Sequence, residues 1–210
     1  MHFLITAGPT REYIDPVRFI SNGSTGKMGY ACAAAAVRRG HKVTLVSGPV
    51  ALKAEKKVKL IKVVTAAEMA RAVQGEFRKS DCVIMTAAVT DYKPASTEKV
   101  KIRKAEQTLT LKLQNTVDIL AELGRKKKQQ ILIGFAVQDQ AAKSRARQKI
   151  REKNLDAIIL NSPASIGAER SDFHILRAGG KWESHTQTDK KKLATTIITL
   201  AEKLVKAKAE

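Results

Sequence analysis

The sequence predicts a single Rossmann-like α/β domain of three layers, in which helices cover both faces of a mostly parallel β-sheet. Short apolar runs alternate with helical segments from residue 3 to residue 160. The runs are continuously apolar, as is typical of strands buried on both faces of a parallel sheet. Polar or glycine-rich residues follow several of these runs and precede the next helix. These observations together indicate the fold class.

Length and composition are those of one folded domain. The chain has 210 residues, of which 43% are hydrophobic, and this excludes a generally disordered protein. We expect residues 1–210 to form one domain with an arm at about 93–113. No apolar run approaches the roughly 20 residues of a membrane span. Because Met1 leads directly into the first apolar run, we expect no signal peptide and a cytoplasmic location.

The first half of the chain contains four predicted strands and two predicted helices. The strands cover residues 3–5, 42–49, 58–64 and 81–86, and the helices cover 30–37 and 65–79. The first helix is rich in alanine, which suits close packing on a sheet. The loops after strands 3–5 and 81–86 both follow carboxyl ends of parallel strands, and ligands bind at that edge in folds of this class.

The second half adds two strands, a hairpin and three helices. The strands cover 131–136 and 157–160, the hairpin covers 173–177 and 181–185, and the helices cover 115–123, 141–154 and 189–208. The hairpin turns at Gly179 and Gly180. Leucine and isoleucine form one stripe on the last helix, as expected for a helix that packs on a sheet.

The arm is predicted from alternating side chains. Residues 99–104 alternate basic and apolar side chains, which indicates an extended strand with one basic face. Leu109, Leu111 and Leu113 repeat the alternation, so we expect a hairpin-like pair. A solvated edge strand is the simpler alternative, because lysines protect strand edges from pairing with other chains.

A candidate anion-binding loop lies between the first strand and the first helix. The first N–H groups of a helix have no partner within the helix and can bind phosphate or carboxylate. The loop matches neither a Walker A motif nor the dinucleotide motif, because its glycines are spaced three residues apart. Glycine spacing alone favours a tight turn, whereas Arg18, Asn22 and Lys27 in the same loop favour an anion site.

The formal net charge of +19 permits two classes of partner. Basic surface binds nucleic acids through their phosphates, but it also suits an enzyme that binds small anions. Aromatic residues are only 4% of the chain, and no stacking platform or recognition helix is visible. We therefore expect no nucleic-acid partner. The four histidines and two cysteines show no metal-ligand spacing, so we also expect no protein-held metal site.

The loop resembles the signature of the phosphopantothenate–cysteine ligase (phosphopantothenoylcysteine synthetase) family. Two segments carry the resemblance: T-A-G-P-T-R-E at 6–12 and D-P-V-R-F-I-S-N-G-S-T-G-K-M-G at 15–29. Further segments at 87–94, 99–104, 131–136 and 147–156 are similar to later motifs of that family. The resemblance extends over essentially the whole chain.

The resemblance implies an enzyme of coenzyme A synthesis. Family members couple the carboxylate of 4′-phosphopantothenate to the α-phosphate of a nucleoside triphosphate, and the amine of L-cysteine then attacks the acyl-nucleotide. We expect CTP, or alternatively ATP, as the co-substrate together with Mg²⁺. We expect no flavin, and the resemblance implies a homodimer built partly from the arm.

The resemblance also assigns site residues. Asn22, Lys101 and Arg18 are expected to be catalytic, and Lys99 competes with Lys101 for its role because one short motif sets the alignment. The expected nucleotide-binding residues are Gly8, Ser24, Gly26, Lys27, Ala87, Asp91, Phe135, Lys149 and Lys153.

Two other functional classes compete with this interpretation. An NAD(P)-dependent oxidoreductase would use the same fold, but the chain has neither the G-x-G-x-x-G motif nor a clear ribose-binding acid after its second strand. A basic nucleic-acid-binding protein is the non-enzymatic alternative. Pyrophosphate release with phosphopantothenate and CTP or ATP would discriminate among the three.

Overall fold

The computed structural model describes residues 1–104, 108–137, 142–165 and 168–209. Its strands are β1 His2–Ala7, β2 Arg11–Tyr13, β3 Phe19–Ser21, β4 Lys42–Ser47, β5 Val58–Lys62, β6 Cys82–Met85, β7 Tyr92–Pro94, β8 Leu113–Asn115, β9 Ile131–Val137, β10 Ala157–Asn161, β11 Arg170–Arg177 and β12 Trp182–Asp189. Its α-helices are α1 Lys27–Arg38, α2 Ala66–Phe77, α3 Ile119–Lys126, α4 Ala142–Glu152 and α5 Lys190–Ala209.

Eight strands form the central sheet in the order β12-β11-β10-β9-β6-β1-β4-β5. The six strands from β10 to β5 are parallel, whereas β11 and β12 add an antiparallel hairpin at one edge. The carboxyl ends of β1, β6, β9 and β10 therefore lie side by side at one edge of the sheet. This confirms the predicted mostly parallel α/β fold.

The two faces of the sheet carry separate hydrophobic cores. Helices α1 and α5 cover one face, where Phe3, Ile5 and Ile133 are fully buried. Helices α2, α3 and α4 cover the other, where Leu4, Val83 and Leu132 are fully buried. Neighbouring residues of one strand thus point into opposite cores. This is why the central strands are continuously apolar in sequence.

The arm differs from its prediction. Residues 101–104 and 108–112 form no strand, and the prediction that 99–104 pairs with 109–113 is wrong for the part of the arm that the structure describes. The observed pair is shorter and lies at the base of the arm, where β7 and β8 join Tyr92 to Asn115. Residues 105–107 of the predicted arm lie outside the described residues.

Gly29 lets the start of α1 approach the sheet closely. A Cβ atom at this position would lie 2.5 Å from the Cβ of Ala7, 2.6 Å from Oγ1 of Thr86 and 2.7 Å from the carbonyl oxygen of Thr6. Any side chain here would push α1 away from β1 and β6. The glycine therefore fixes the distance between the helix N-terminus and the edge where these strands end.

Gly29→Ala is expected to lower the free energy of unfolding by about 1–3 kcal/mol, because the added methyl group overpacks the helix–sheet contact. Gly75→Ala is the matched control, since a Cβ at that helical glycine meets no atom within 4 Å. The control should instead stabilise the protein by about 0.5–1 kcal/mol through helix propensity. Urea unfolding of both variants measures the difference. Equal shifts in the two variants would contradict the packing argument.

Both cysteines of the chain are fully buried as free thiols. Burial raises the pKa of Cys32 to about 12. Burial, followed by the negative charges of Asp156 and Asp81, raises the pKa of Cys82 well above its ordinary value.

No helix in the described part of the chain combines the length and apolar character needed to cross a bilayer.

Candidate active site

A cleft of about 820 Å³ lies at the carboxyl edge of the parallel strands. Its walls come from the loop before α1, the loop after β6, the end of β9, one face of α4 and the first residue of α5. Nine of the residues singled out from the sequence line it: Asn22, Ser24, Gly26, Lys27, Ala87, Asp91, Phe135, Lys149 and Lys153. The fold thus brings together side chains that are up to 131 positions apart in sequence.

Gly26 lines the cleft beside the first turn of α1, whereas Gly8, which was also predicted to bind the nucleotide, lies behind it and does not line the cleft. Both have positive φ, 73° and 75°, which side-chain-bearing residues rarely adopt. They lie against each other, since a Cβ on Gly26 would be 3.3 Å from the amide nitrogen of Gly8. Gly26 caps α1 without a side-chain hydrogen bond, and the first turn contains no acidic residue. The N–H groups of that turn are therefore available to an anion.

Asn22 bridges the glycine loop to the loop after β6. Its amide nitrogen donates to the carbonyl oxygens of Ala88 at 3.1 Å and Val89 at 3.2 Å. Two carbonyl acceptors fix the orientation of the amide, because the Oδ1 atom could not donate to either. In this conformation both amide hydrogens of Asn22 are engaged.

The loop after β6 is tied to the loop after β1 by a ladder of hydrogen bonds. The Ala87 amide donates to Oγ1 of Thr6 at 3.1 Å, and the Ala88 amide donates to the carbonyl oxygen of Gly8 at 3.0 Å. Oγ1 of Thr10 and Oγ1 of Thr90 lie 2.6 Å apart in a buried pair. These bonds hold Asp91, whose exposed side chain lines the cleft, at a fixed distance from the glycine loop.

Lys149 of α4 and Lys153, which directly follows that helix, lie at the opposite wall. Burial lowers the pKa of Lys149, and the neighbouring charge of Lys153 lowers it further, while Asp91 and Asp118 oppose the effect. Lys153 Nζ lies 2.7 Å from a carboxylate oxygen of Asp118, the residue that caps α3. An anion between the two lysines would relieve their mutual repulsion.

A second pair of cations lies at the α1 side of the cleft. Lys27 begins α1, and Lys190 begins α5. Lys190 Nζ donates to the carbonyl oxygens of Ser165, at 3.3 Å, and Ala168. Burial lowers the pKa of Lys190, and the nearby charge of Lys27 lowers it further, while Glu169 opposes the effect. Lys190 was not among the site residues predicted from the sequence, because it stands in a run of three lysines that carries no motif.

Arg18 and Lys101, both expected to be catalytic, do not line this cleft. Arg18 instead donates to the carbonyl oxygen of Ile102, the residue after Lys101, at 3.3 Å. Buried Asp15 organises the contact by accepting from the amides of Val17 and Arg18, each at 2.8 Å, and of Ile102 at 3.2 Å.

The charge of Asp15 is stabilised despite its burial. Burial alone would raise the pKa of this carboxyl, but three backbone N–H donors and the Arg18 guanidinium, 3.2 Å away, outweigh it and lower the pKa. The contribution of Asp15 to stability is therefore present above the unfolded-state pKa of about 3.9 and is lost as the pH falls through the lower folded value. At neutral pH the base of the arm is held to residues 15–18.

Two carboxylates, Asp91 and Asp118, line the cleft. Mg²⁺ that enters with a nucleotide typically binds through phosphate oxygens, water and one or two carboxylates. The donor set of the cleft fits that mode of binding, with Asp91 as the more accessible ligand because Asp118 is paired with Lys153. Within the described ranges, no group of three His, Cys, Asp or Glu residues could hold a metal ion without such a ligand.

Comparison with known families gives one match over almost the whole chain. Residues 1–204 match the family described as the DNA/pantothenate metabolism flavoprotein C-terminal domain. The coenzyme A biosynthesis bifunctional protein CoaBC of Bacillus subtilis (strain 168) is 52% identical over 168 residues, which are 80% of this chain and 41% of that protein. The chain thus spans less than half the length of this relative.

Solved structures share the fold. The crystal structure of the C-terminal domain of CoaBC superposes with a TM-score of 0.86 at 39% identity, covering 98% of this chain and 96% of that one. A Cab2 mutant in complex with phosphopantothenate-cysteine superposes with a TM-score of 0.82 at 16% identity, covering 100% of this chain and 89% of that one. At that identity the second likeness supports the fold alone.

Proposed function

The chain belongs to the family of the DNA/pantothenate metabolism flavoprotein C-terminal domain, and from this we propose that it is a phosphopantothenate–cysteine ligase. It joins 4′-phosphopantothenate to L-cysteine through an acyl-nucleotide and so forms 4′-phosphopantothenoylcysteine for coenzyme A synthesis. The observation that carries the proposal is the lysine-lined cleft, in which the residues that resemble the family's motifs converge.

The first step forms the acyl-nucleotide. A carboxylate oxygen of phosphopantothenate attacks the α-phosphorus of the nucleoside triphosphate, and the bond to the bridging oxygen breaks with release of pyrophosphate. Negative charge on the phosphates must be stabilised throughout the transfer. Lys149 and Lys153 supply ammonium groups from one wall, while the other wall supplies the ammonium group of Lys27 and the backbone N–H donors at the N-terminus of α1.

The second step forms the amide. The cysteine amine attacks the acyl carbon, the tetrahedral intermediate collapses, and the nucleoside monophosphate leaves with the electron pair of the acyl–phosphate bond. Asn22 lies at the junction of both loops that enclose the cleft, where it serves this step. It does so either by redirecting one of its N–H hydrogen bonds from a carbonyl oxygen to the developing oxyanion or by holding both loops in place.

CTP is the favoured nucleotide and ATP the alternative, because the signature at 15–29 resembles that of bacterial members. Mg²⁺ would be bound by the phosphates and Asp91, and it would neutralise phosphate charge. Phe135, half-buried at the end of β9, would pack against the base or ribose. No flavin is part of this proposal.

A homodimer would bring Lys101 and Arg18 to a cleft, which the single chain does not do. Lys101 and Arg18 lie outside the cleft of their own chain. The arm beside them exposes apolar side chains, with Val100 73% and Leu109 57% accessible. A symmetric dimer that buries this surface would deliver Lys101 and Arg18 to the cleft of the partner. Light scattering at micromolar concentration is expected to show a dimer, and a fully active monomer would refute it.

Pyrophosphate release tests the function directly. The protein is incubated with phosphopantothenate and either CTP or ATP, with and without cysteine, and the product is identified by mass spectrometry. We expect multiple turnovers with cysteine and at most about one equivalent of tightly held acyl-nucleotide without it. Absence of pyrophosphate with both nucleotides would overturn the proposal.

A further inference from the structure

Lys190 is a cation of the cleft that the proposed mechanism does not use. It is the first residue of α5 and directly follows β12, the second strand of the antiparallel hairpin. It nevertheless lines the same cleft as Lys27 and Ser24. Its Nζ is anchored to the carbonyl oxygens of Ser165 and Ala168. Two backbone acceptors fix the position of the ammonium group and leave one N–H donor free to bind a ligand.

The Glu169 carboxylate lies close enough to oppose the lowering of the Lys190 pKa, but no salt bridge joins it to Lys190 among the described residues. Neither Lys190 nor Lys27 has an acidic group within salt-bridge distance there, whereas Lys153 and Lys127 in the same chain each do. Both lysines line the cleft at the first turn of α1, to which Lys27 belongs and which has no acidic residue and no side-chain cap. Two ammonium groups and a helix N-terminus therefore meet there without a salt-bridged carboxylate among the described residues.

Such an arrangement is unfavourable in the free protein. Lys27 and Lys190 repel each other, and this adds to the burial that already lowers the pKa of Lys190. A dianionic phosphate would reverse both effects, because it pairs with the two ammonium groups and accepts from the N–H groups of the helix. The cleft is thus better matched to an anion at this end than to water.

We propose that Lys190 is a phosphate-binding residue that acts together with Lys27 and the first turn of α1. The inference rests on the proposed function, which supplies two phosphate-bearing substrates: the nucleoside triphosphate and 4′-phosphopantothenate. Their shared chemistry is a phosphate carrying one or two negative charges. Lys149 and Lys153 at the other wall then bind a separate part of the substrates.

Direct binding tests the proposal without requiring turnover. Mg²⁺–CTP, Mg²⁺–ATP and phosphopantothenate are each titrated calorimetrically into the parent protein, Lys190→Gln and Lys191→Gln. Lys191 is the matched control because it is the next residue of α5, is exposed, lies outside the cleft and changes the net charge equally. We expect Lys190→Gln to bind one of these ligands about 10- to 100-fold more weakly than the parent does, as for loss of a charge-assisted hydrogen bond.

The ligand whose affinity falls in Lys190→Gln identifies the molecule whose phosphate Lys190 binds. Lys191→Gln should bind all ligands as the parent does, and Lys190→Arg should recover most of the lost affinity. The affinity of Lys190→Gln should also depend less on salt than that of the control, since one ion pair is missing. A purely structural role at Ser165 and Ala168 would lower thermal stability but leave that salt dependence unchanged.

Unchanged affinity of Lys190→Gln for every substrate would overturn the inference, and so would equal losses in Lys190→Gln and Lys191→Gln. Failure of the proposed ligase activity is a different result. If the parent protein releases no pyrophosphate but Lys190→Gln still loses phosphate affinity, the phosphate site stands and only the reaction is wrong. If the parent protein turns over its substrates but Lys190→Gln binds every ligand as tightly as the parent, the ligase function stands and the phosphate site at Lys190 is wrong.

Discussion

Replacing Lys101 by Gln is expected to abolish pyrophosphate release, both with and without cysteine. Formation of the acyl-nucleotide builds charge on the phosphates, and an ammonium group stabilises that charge whereas a neutral amide does so poorly. Removing one preorganised electrostatic contact typically costs about 100-fold to 1,000-fold in rate. A rapid-quench assay of pyrophosphate in the absence of cysteine measures this step alone.

Lys99→Gln is the matched control for Lys101. Both lysines are exposed on the same arm, but the neighbour of Lys101, Ile102, is anchored to Asp15 and Arg18. Lys99→Gln should therefore retain most of the activity. If Lys99→Gln loses pyrophosphate release while Lys101→Gln retains it, the catalytic lysine of the motif is Lys99.

Asn22→Asp is expected to form the acyl-nucleotide but to transfer it poorly to cysteine. The carboxylate has no hydrogens for the carbonyl oxygens of Ala88 and Val89, so two hydrogen bonds are replaced by repulsion between acceptors. The variant also has no amide hydrogen to give to the tetrahedral oxyanion. The second step should slow by about 100-fold to 1,000-fold, and the intermediate should accumulate on the protein.

Rapid quench followed by mass spectrometry would detect the accumulated intermediate. Because Asn22 is exposed, loss of its two hydrogen bonds should lower the free energy of unfolding in urea only modestly, by about 1–2 kcal/mol, and the variant should remain folded at the assay temperature. If Asn22→Asp blocks formation of the intermediate while Lys101→Gln permits it, the two roles are reversed.

Mixing the two variants tests whether one site uses residues of two subunits. If Lys101 reaches the cleft of the partner, a heterodimer of Lys101→Gln and Asn22→Asp chains contains one site with both residues intact. Activity should then reappear after the mixture is allowed to exchange subunits. No recovery in verified heterodimers would mean that both residues serve the same chain.

The sequence was sufficient to predict the central sheet, because strands that are buried on both faces appear as continuously apolar runs, which can be recognised from the local sequence alone. All eight strands of the sheet and all five helices lie within a few residues of their predicted positions. The β2–β3 hairpin was missed because its strands have three residues each and lie within a polar loop. The arm was overpredicted because alternating side chains indicate an extended backbone but not a pairing partner.

Site residues could be predicted where they belong to a recognisable sequence motif. They could not be predicted where only the three-dimensional fold brings them to the cleft. Asn22, Asp91 and Lys149 reach one cleft from three motifs, as their positions after parallel strands or on a crossover helix allow. Lys190 reaches the same cleft only because the antiparallel hairpin returns the chain to that edge. In sequence it is indistinguishable from Lys191 and Lys192, since all three follow the hairpin as one basic run.

The burial of both cysteines has a consequence for redox chemistry. Burial raises the pKa of Cys32 to about 12, so its thiolate is scarce at neutral pH, and only the thiolate attacks a disulfide. Cys82 is protected in the same way. A protein that takes cysteine as substrate and releases a thiol product would meet oxidised forms of both. The two buried thiols are poorly placed to form mixed disulfides with such molecules while the protein is folded. If the proposed ligase function holds, oxidation of the substrate pool would limit the supply of cysteine before it inactivated the protein.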